Sequence, residues 1–218
     1  MTSKNIVTLG CTLVLSAFFL NSVAQENDVH KDAIAAIKSK RAEQLKELKG
    51  DKSPLEKKAR KKLKRIDYFP IDLNYRVTAR FIRTETSPTF RMKTTRPRPG
   101  GLPEFQKFGE VHFSLHGVPY KLNIYQSPAA PGSTVPEDYL FLPFTDKTNG
   151  SETYEVGRYI DLALPVSDEI VIDFNLAYNP YCSYNHNYSC PIPPVENDLP
   201  IEVKAGEKKF GVTEKGEE

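Results

Sequence analysis

The chain of 218 residues has no tryptophan, only two methionines and three cysteines, and a formal net charge of only +2. So small a net charge gives no reason to expect nucleic acid as a partner. The composition also argues against a coiled coil, collagen, wholesale disorder and a multi-span membrane protein. There is no internal repeat, and no alternation of strands and helices of the kind that builds a nucleotide-binding parallel sheet.

Named catalytic motifs are missing as well. The sequence contains no Gly-x-Ser-x-Gly elbow, no His-Glu-x-x-His motif and no phosphate-cradling glycine-rich loop followed by Lys and Ser or Thr. The four histidines are scattered, so a histidine-based triad has no support. No cofactor is expected from these residues.

Residues 1–24 read as a secretory signal peptide. A lysine precedes an apolar run from Ile6 to Leu20, and small residues lead up to Ala24. Cleavage after Ala24 would leave Gln25 as the first residue, and the protein would be exported to the periplasm or the medium. The alternative is an uncleaved anchor, but the run is shorter than the roughly 20 apolar residues that span a bilayer.

Two cysteines remain in the exported chain. Cys182 and Cys190 are predicted to form a disulfide, because paired cysteines in exported proteins usually do. The alternative is a metal site in which His186 joins them at spacings of four. No fourth ligand is evident, and prolines bracket the segment. We therefore expect no metal.

Charge divides the chain near residue 67. Residues 25–66 carry 14 basic and 7 acidic side chains and predict two helices, one over 28–49 and one beginning with the Ser53-Pro54 capping sequence and ending near Ile66. The cationic face of the second helix could touch an anionic membrane surface, or it could simply be solvated. The residues of this face are Lys57, Lys58, Lys61, Lys62, Lys64 and Arg65.

Residues 67–210 change to a period of two and predict a β domain. Six or more short strands separated by turns favour an antiparallel β-sandwich or open barrel, preceded by the pair of basic helices. His116-Gly117 is predicted as the two-residue turn of a hairpin, and a last strand is expected near Ile201–Lys204. Residues 211–218 are predicted to be a disordered tail.

One arginine draws attention within this domain. Val156, Arg158 and Ile160 share a strand face, so Arg158 should point into the core and require a carboxylate partner. Asp173 and Glu196 are the predicted partners. In a functional interpretation Arg158 grips an anion, and Asp173 or Glu196 acts as acid or base. Further ligand-binding candidates are Asp146, Asp161, Asn175, Tyr178, Asn179 and Asn197. In the alternative interpretation the charged groups pair inside the fold and the asparagines tie down loops.

The C-terminal half resembles a known family. The runs Phe144-Thr145-Asp146, Gly157 to Asp161, Asp173-Phe174-Asn175, Ala177 to Pro180 and Pro191 to Asn197 are similar to the bacterial domain-of-unknown-function 1684 family. The resemblance covers about residues 53–208 and implies an exported bacterial protein with no known activity.

Three functions follow as hypotheses. The first is an exported protein of the cell envelope that binds a small anion through Arg158. The second is a hydrolase-like enzyme that uses Asp173 and Glu196. The third is a structural envelope protein docked through its basic helices.

Overall fold

The computed structural model describes residues 7–97, 100–128 and 136–211, with side chains from residue 28 onward. Its longest element is the helix α1, Val7–Lys49. The chain divides into two units, residues 1–40 and 41–218. The first is helical wherever it is described, and all the strands of the described ranges belong to the second. The whole of the predicted signal peptide and nearly all of the predicted tail lie outside the residues whose side chains are described.

Seven antiparallel strands form a single sheet in the second unit. They are β1 Arg76–Arg83, β2 Thr89–Arg91, β3 Glu104–Leu115, β4 Val118–Gln126, β5 Tyr139–Phe144, β6 Arg158–Ala163 and β7 Glu169–Asp173. Their order is β6-β5-β4-β3-β1-β7, and β2 also pairs with β3. No ladder joins the end strands β6 and β7 in the described ranges. The sheet is therefore an open half barrel, and the predicted mainly β, antiparallel class is confirmed.

The hairpin of β3 and β4 forms at the predicted turn. His116 and Gly117 both have positive φ, 52° and 79°, which is the geometry that a two-residue hairpin turn requires. The register runs from Leu115 opposite Val118 to Gln106 opposite Gln126, with one irregularity beside Gly109. A Cβ at Gly109 would lie 2.6 Å from both the backbone oxygen of Ile82 and the ring of Phe81, so the sheet closes tightly there.

Alternation along the strands gives the sheet two apolar faces. The concave face carries the main core, in which Ala79, Val111, Leu122 and Ile172 have no solvent exposure. The opposite face carries a smaller aromatic cluster around Phe141. Its members are Met92, Phe105, Tyr125, Phe141 and Tyr159, with Phe90, Tyr139 and Tyr178 packed beside them.

Two predicted elements differ from the structure. The second basic helix, α2, is only Lys57–Lys62, because Leu63 takes an extended backbone (ψ 114°), and Ser53 caps Leu55 instead of the helix start. None of its residues is buried. The expected strand near Ile201–Lys204 is not a strand; only Val203 of that segment is buried, and its carbonyl and N–H bind the side chains of Arg158 and Asp146. A short helix, α3 (Tyr181–Tyr184), lies further along the chain than α2.

Among the described residues, no helix is both long enough and apolar enough to cross a bilayer.

Candidate functional site

Arg158 lies in the interior, as the alternation predicts. It opens β6 opposite Phe144 of β5, and its side chain is fully buried. Its partner is Asp146: Nη2 lies 2.8 Å from Oδ2, and both side chains have no solvent exposure. The predicted partners Asp173 and Glu196 are therefore wrong. Antiparallel pairing brings the residues just beyond Phe144 to Arg158, whereas Asp173 ends a strand that is not paired with β6.

The guanidinium also binds the chain near its C-terminus. Nη2 donates to the carbonyl of Val203 at 2.9 Å, and Nη1 donates to the carbonyls of Ala205 and Glu207. Burial lowers the pKa of Arg158, and the neighbouring Asp146 opposes this effect. Both Nη atoms are committed to protein acceptors in a site without solvent. The predicted role of Arg158 as an anion anchor is thus corrected to that of an internal cross-link.

Both carboxylate oxygens of Asp146 also accept hydrogen bonds from the protein. Its Oδ1 accepts hydrogen bonds from the backbone and hydroxyl of Thr148, at 2.9 and 2.6 Å, and from the backbone of Val203 at 3.1 Å. The Thr148 hydroxyl also contacts that of Thr153 at 2.8 Å. Asp146 therefore has no side toward solvent from which a ligand could approach, and it serves the fold.

Asp173 and Asn175 organise the end of β7. Asp173 Oδ1 accepts from the backbone and side-chain amides of Asn175, at 3.0 and 2.9 Å, while Oδ2 lies 3.6 Å from Arg76 Nε. The Asn175 amide in turn bonds both the N–H and the carbonyl of Asp72. These contacts are local and mutually satisfied, as the alternative interpretation of the polar cluster predicted.

Asn197 and Glu196 are adjacent in the sequence, but the Asn197 side chain is buried and the Glu196 side chain is exposed. The buried Asn197 side chain accepts from Asn123 N at 2.8 Å and donates to the carbonyls of Asn123 and Pro143 at 2.8 and 2.6 Å. It thereby ties β4 and β5 to its own turn. Glu196 is exposed to solvent. In the described part of the chain no ion pair or hydrogen bond joins Glu196 to Asp173.

Asp161 accepts hydrogen bonds from two tyrosine hydroxyls on the sheet face that carries the aromatic cluster around Phe141. Tyr178 donates to its Oδ1 at 2.6 Å and Tyr139 at 2.8 Å. Burial, followed by the charge of Asp161, raises the pKa values of both tyrosines. Asp161 itself remains exposed. Arg158 and Asp161 point to opposite faces of β6, so the predicted candidates do not share one cleft.

Among the described residues, Glu207 is the carboxyl whose pKa is raised furthest, and it was not predicted from the sequence. It is 1% exposed. Its oxygens accept from the backbone of Asn179 at 2.8 Å, from Gln44 Nε2 at 3.1 Å and from the Tyr184 hydroxyl. Burial raises the pKa of Glu207 to about 7, although these donors act in the opposite direction. A carboxyl of this kind beside a cavity is a candidate functional group.

A cavity of about 600 Å³ lies next to this carboxyl. Tyr68 connects the two: its hydroxyl donates to Gln44 Oε1 at 2.7 Å, and Gln44 donates to Glu207. The Tyr68 ring lines the cavity and stacks against the Arg41 guanidinium, 4.2 Å from its centroid. Four cations line the walls, namely Arg41, Arg65, Lys208 and Lys209, together with the two acids Asp67 and Glu152.

The cations of the cavity are not equally neutralised. Arg65 pairs with Asp67 at 2.8 Å, and Lys209 pairs with a neighbouring glutamate at 3.3 Å. Arg41 instead donates to the carbonyls of Phe69 and Asn175, and Lys208 Nζ lies 4.9 Å above the Phe69 ring. Within the described ranges neither Arg41 nor Lys208 has a carboxylate at ion-pair distance. The cavity therefore keeps an excess of positive charge.

One sequence signal could have identified Glu207. Val203 and Ala205 are buried, and a period of two places Glu207 on the same face. Gly206 permits this path: its φ is +77°, and a Cβ there would lie 2.6 Å from the carbonyl oxygen of Ala177. The lysines that surround Glu207 in the sequence instead suggested an exposed charge.

Cys182 and Cys190 lie together but are free thiols in the structure, so the predicted disulfide is not shown. Both are buried. The Cys182 N–H donates to Cys190 Sγ at 3.2 Å, and the Tyr154 hydroxyl contacts Cys182 Sγ at 3.4 Å. Hydrogen bonding from Cys190 lowers the pKa of Cys182 to about 6. His186 is exposed, and no cluster of three metal-ligating side chains occurs in the residues described.

The described residues define a protein with one antiparallel half-barrel sheet, which comes after a long helix in the sequence. The buried ion pair of Arg158 and Asp146 holds this domain together. Residues 61–208 match the family described as protein of unknown function (DUF1684), and the chain belongs to this family. It is also similar to an uncharacterised protein of Haloarcula marismortui solved by NMR in solution. The identity is 32%, the TM-score is 0.65, and the match covers 83% of this chain and 96% of that one. A search of the curated proteins found no match.

Proposed function

We propose that the protein binds a small anion in the cavity beside Tyr68. The observation that carries the proposal is that, among the described residues, neither Arg41 nor Lys208 has a carboxylate at ion-pair distance, although both line a cavity of about 600 Å³. This volume lies within the range of roughly 300–1,000 Å³ that is common for small-molecule sites. A cation without a carboxylate partner in a partly desolvated recess attracts anions more strongly than an exposed ion pair does. The proposed anion-binding residues are therefore Arg41 and Lys208 instead of Arg158.

The geometry of Arg41 supports this assignment. Its guanidinium is fixed by three hydrogen bonds to carbonyls, with donor–acceptor distances of 3.1–3.3 Å, and by the Tyr68 ring. These contacts orient the group without neutralising it. A guanidinium has five N–H donors, so some remain for a ligand. Preorganised cations of this kind bind anions with little ordering cost.

Sulfate is a suitable probe because its charge is constant across neutral pH. We expect isothermal titration calorimetry to show that Lys208→Gln weakens sulfate binding by about fivefold or more, the loss of one partly desolvated charge. The matched control is Lys57→Gln on α2, which removes the same charge from an exposed position outside the cavity. Equal affinities for wild type and Lys208→Gln would contradict the proposed site.

Export is part of the proposal. The apolar segment before Ala24 supports cleavage and delivery to the periplasm or the medium, where Cys182 and Cys190 would oxidise to a disulfide. The observation that favours oxidation is the proximity of the two cysteines, joined by the 3.2 Å contact between Cys182 N and Cys190 Sγ. Mass spectrometry of the protein recovered from the producing cells tests the first step. An intact N-terminus in every fraction would contradict it.

A second proposal concerns the membrane surface. All six basic side chains from Lys57 to Arg65 named above are exposed, and α2 buries none of its residues. Each basic group near an anionic surface contributes about 1 kcal/mol. Vesicles containing anionic lipid should therefore retain the protein at low salt. A variant with Lys57, Lys58, Lys61 and Lys62 changed to Gln should lose that retention, and unchanged retention would contradict the proposal.

A further inference from the structure

Glu207 is a buried acid without a counter-ion of its own. Its carboxylate accepts hydrogen bonds from three neutral donors, which belong to Gln44, Asn179 and Tyr184. No Lys, Arg or His side chain in the described ranges lies within ion-pair distance of it. Neutral donors stabilise a buried charge less than an ion pair does, so the protonated form competes near neutral pH.

The Asn179 side chain also lies beside Glu207. Asn179 is 1% exposed, its Nδ2 donates to the carbonyl of Lys208 at 2.8 Å, and its Oδ1 has no hydrogen-bond partner among the described residues. Its contact with the carboxyl, like the hydrogen bonds from Gln44 and Tyr184, favours the ionised form, but burial outweighs these contacts. Burial without a counter-ion is therefore what favours the proton at Glu207.

Glu207 stands directly behind the cavity wall. Tyr68 pairs with Glu207 along the backbone, and Lys208, the next residue in the chain, lines the cavity. Hydrogen bonds connect Glu207 through Gln44 to the Tyr68 hydroxyl, and the Arg41 guanidinium stacks on the Tyr68 ring. The negative charge of an ionised Glu207 therefore acts on the same cations that would hold an anion.

We propose that the protein takes up its anion together with a proton, and that Glu207 is the group that accepts this proton. The proposal rests on the anion site proposed above. A neutral Glu207 leaves the charges of Arg41 and Lys208 free for the anion, whereas an ionised Glu207 offsets part of them. Binding of the anion and protonation of Glu207 then strengthen each other by the same factor.

The other groups that face Glu207 do not change charge in the same pH range. Tyr68 and Tyr184 pack against it, and burial raises the pKa values of both phenols, so they stay neutral. Arg158 approaches from β6 and is held by Asp146. Gln44 and Asn179 do not titrate. Arg41 stays charged, and no histidine is among the described residues that line the cavity.

The test measures sulfate affinity by isothermal titration calorimetry at about pH 5.5 and about pH 8.5 at constant ionic strength. From the Coulomb interaction across a partly desolvated site, we expect binding about three- to twentyfold weaker at the higher pH. Near neutral pH, buffers of different ionisation enthalpy should reveal uptake of a proton. Glu207→Gln should bind with the same affinity at both pH values and take up no proton. The matched control Glu152→Gln, an exposed acid of the cavity, should keep the pH dependence.

The outcomes separate the two proposals. Sulfate binding that is equally strong at both pH values overturns the proton coupling and leaves the anion site standing, as does a pH dependence that survives in Glu207→Gln. Absence of sulfate binding at either pH overturns both. If Glu207→Gln does not fold, NMR titration of wild type with ¹³C-labelled glutamate decides. A glutamate carboxyl that titrates near neutrality and shifts upward with sulfate supports the coupling, and its absence overturns it.

Discussion

The buried pair of Arg158 and Asp146 should dominate the stability of the domain. Replacing Arg158 with Met keeps an unbranched, flexible side chain but removes the guanidinium and leaves Asp146 charged in a site with no solvent exposure. Removing one partner of a buried pair costs about 3–5 kcal/mol. The carbonyls of Val203, Ala205 and Glu207 also lose their donors. For a chain of this length, that cost corresponds to a fall in melting temperature of roughly 6–20 °C.

A matched pair on the surface provides the control. Arg65 and Asp67 lie at the same 2.8 Å, but their side chains are 79% and 30% exposed. Arg65→Met should cost less than about 1 kcal/mol, because solvent screens exposed ion pairs. The two pairs have the same residue types and distance, so the difference comes from burial and from the three carbonyl hydrogen bonds that Arg158 makes in addition.

Urea unfolding of the single and double variants tests the reasoning. Arg158→Met combined with Asp146→Leu should be more stable than the sum of the two single losses predicts, with a coupling of about 1–3 kcal/mol. The corresponding coupling between Arg65 and Asp67 should be near zero. If Arg158→Met unfolds at the same urea concentration as Arg65→Met, the assignment of Arg158 as an internal cross-link is refuted.

Four further predictions follow from the same contacts. The pKa of Glu207 is raised to about 7, so its contribution to stability is fully present below about pH 4.5 and is lost as the pH rises through 7. The urea midpoint of wild type should therefore fall as the pH rises from about 4.5 to 7, and this fall should be absent in Glu207→Gln. The same fall in Glu207→Gln would count against the assignment to Glu207. Asn197→Ala removes three bonds to backbone groups and should cost about 2–4 kcal/mol, measured in the same way. Gly206→Ala must move backbone oxygens 2.6–2.7 Å from the new Cβ and should lower the melting temperature by several degrees; a neutral result would show that the segment adjusts freely. If the proposed export and oxidation take place, denatured, unreduced protein from the producing cells should not react with a thiol reagent at Cys182 or Cys190, whereas labelling of both would contradict the disulfide.

Much of this architecture could be predicted from alternation along the strands. The face shared by Val156, Arg158 and Ile160 predicted a buried guanidinium, and the structure places it there. Its partner was sought on β7, whereas the register of β5 and β6 sets Phe144 opposite Arg158 and brings Asp146 within reach. Local pattern indicates which way a side chain points. Which residue it meets depends on strand order, and a single sequence does not specify that order.

The candidate site was predictable only in part. Asn175 and Asn197 do tie down backbone, as the alternative interpretation held, because amide side chains can serve a donor and an acceptor together. The cavity was missed because its cations come from distant parts of the chain, Arg41 on α1 and Lys208 near the end. Glu207 was missed because charged neighbours concealed the alternation that turns it inward. Sites assembled across the sequence leave no local motif.

The grip of Arg158 on the segment from Val203 to Glu207 has a consequence for biogenesis. The carbonyls that this arginine needs lie well beyond β6 and β7 in the chain, so both strands are synthesised before their acceptors are available. We therefore expect the half barrel to stay loose until the segment from Val203 to Glu207 has joined it, and then to close as one cooperative unit.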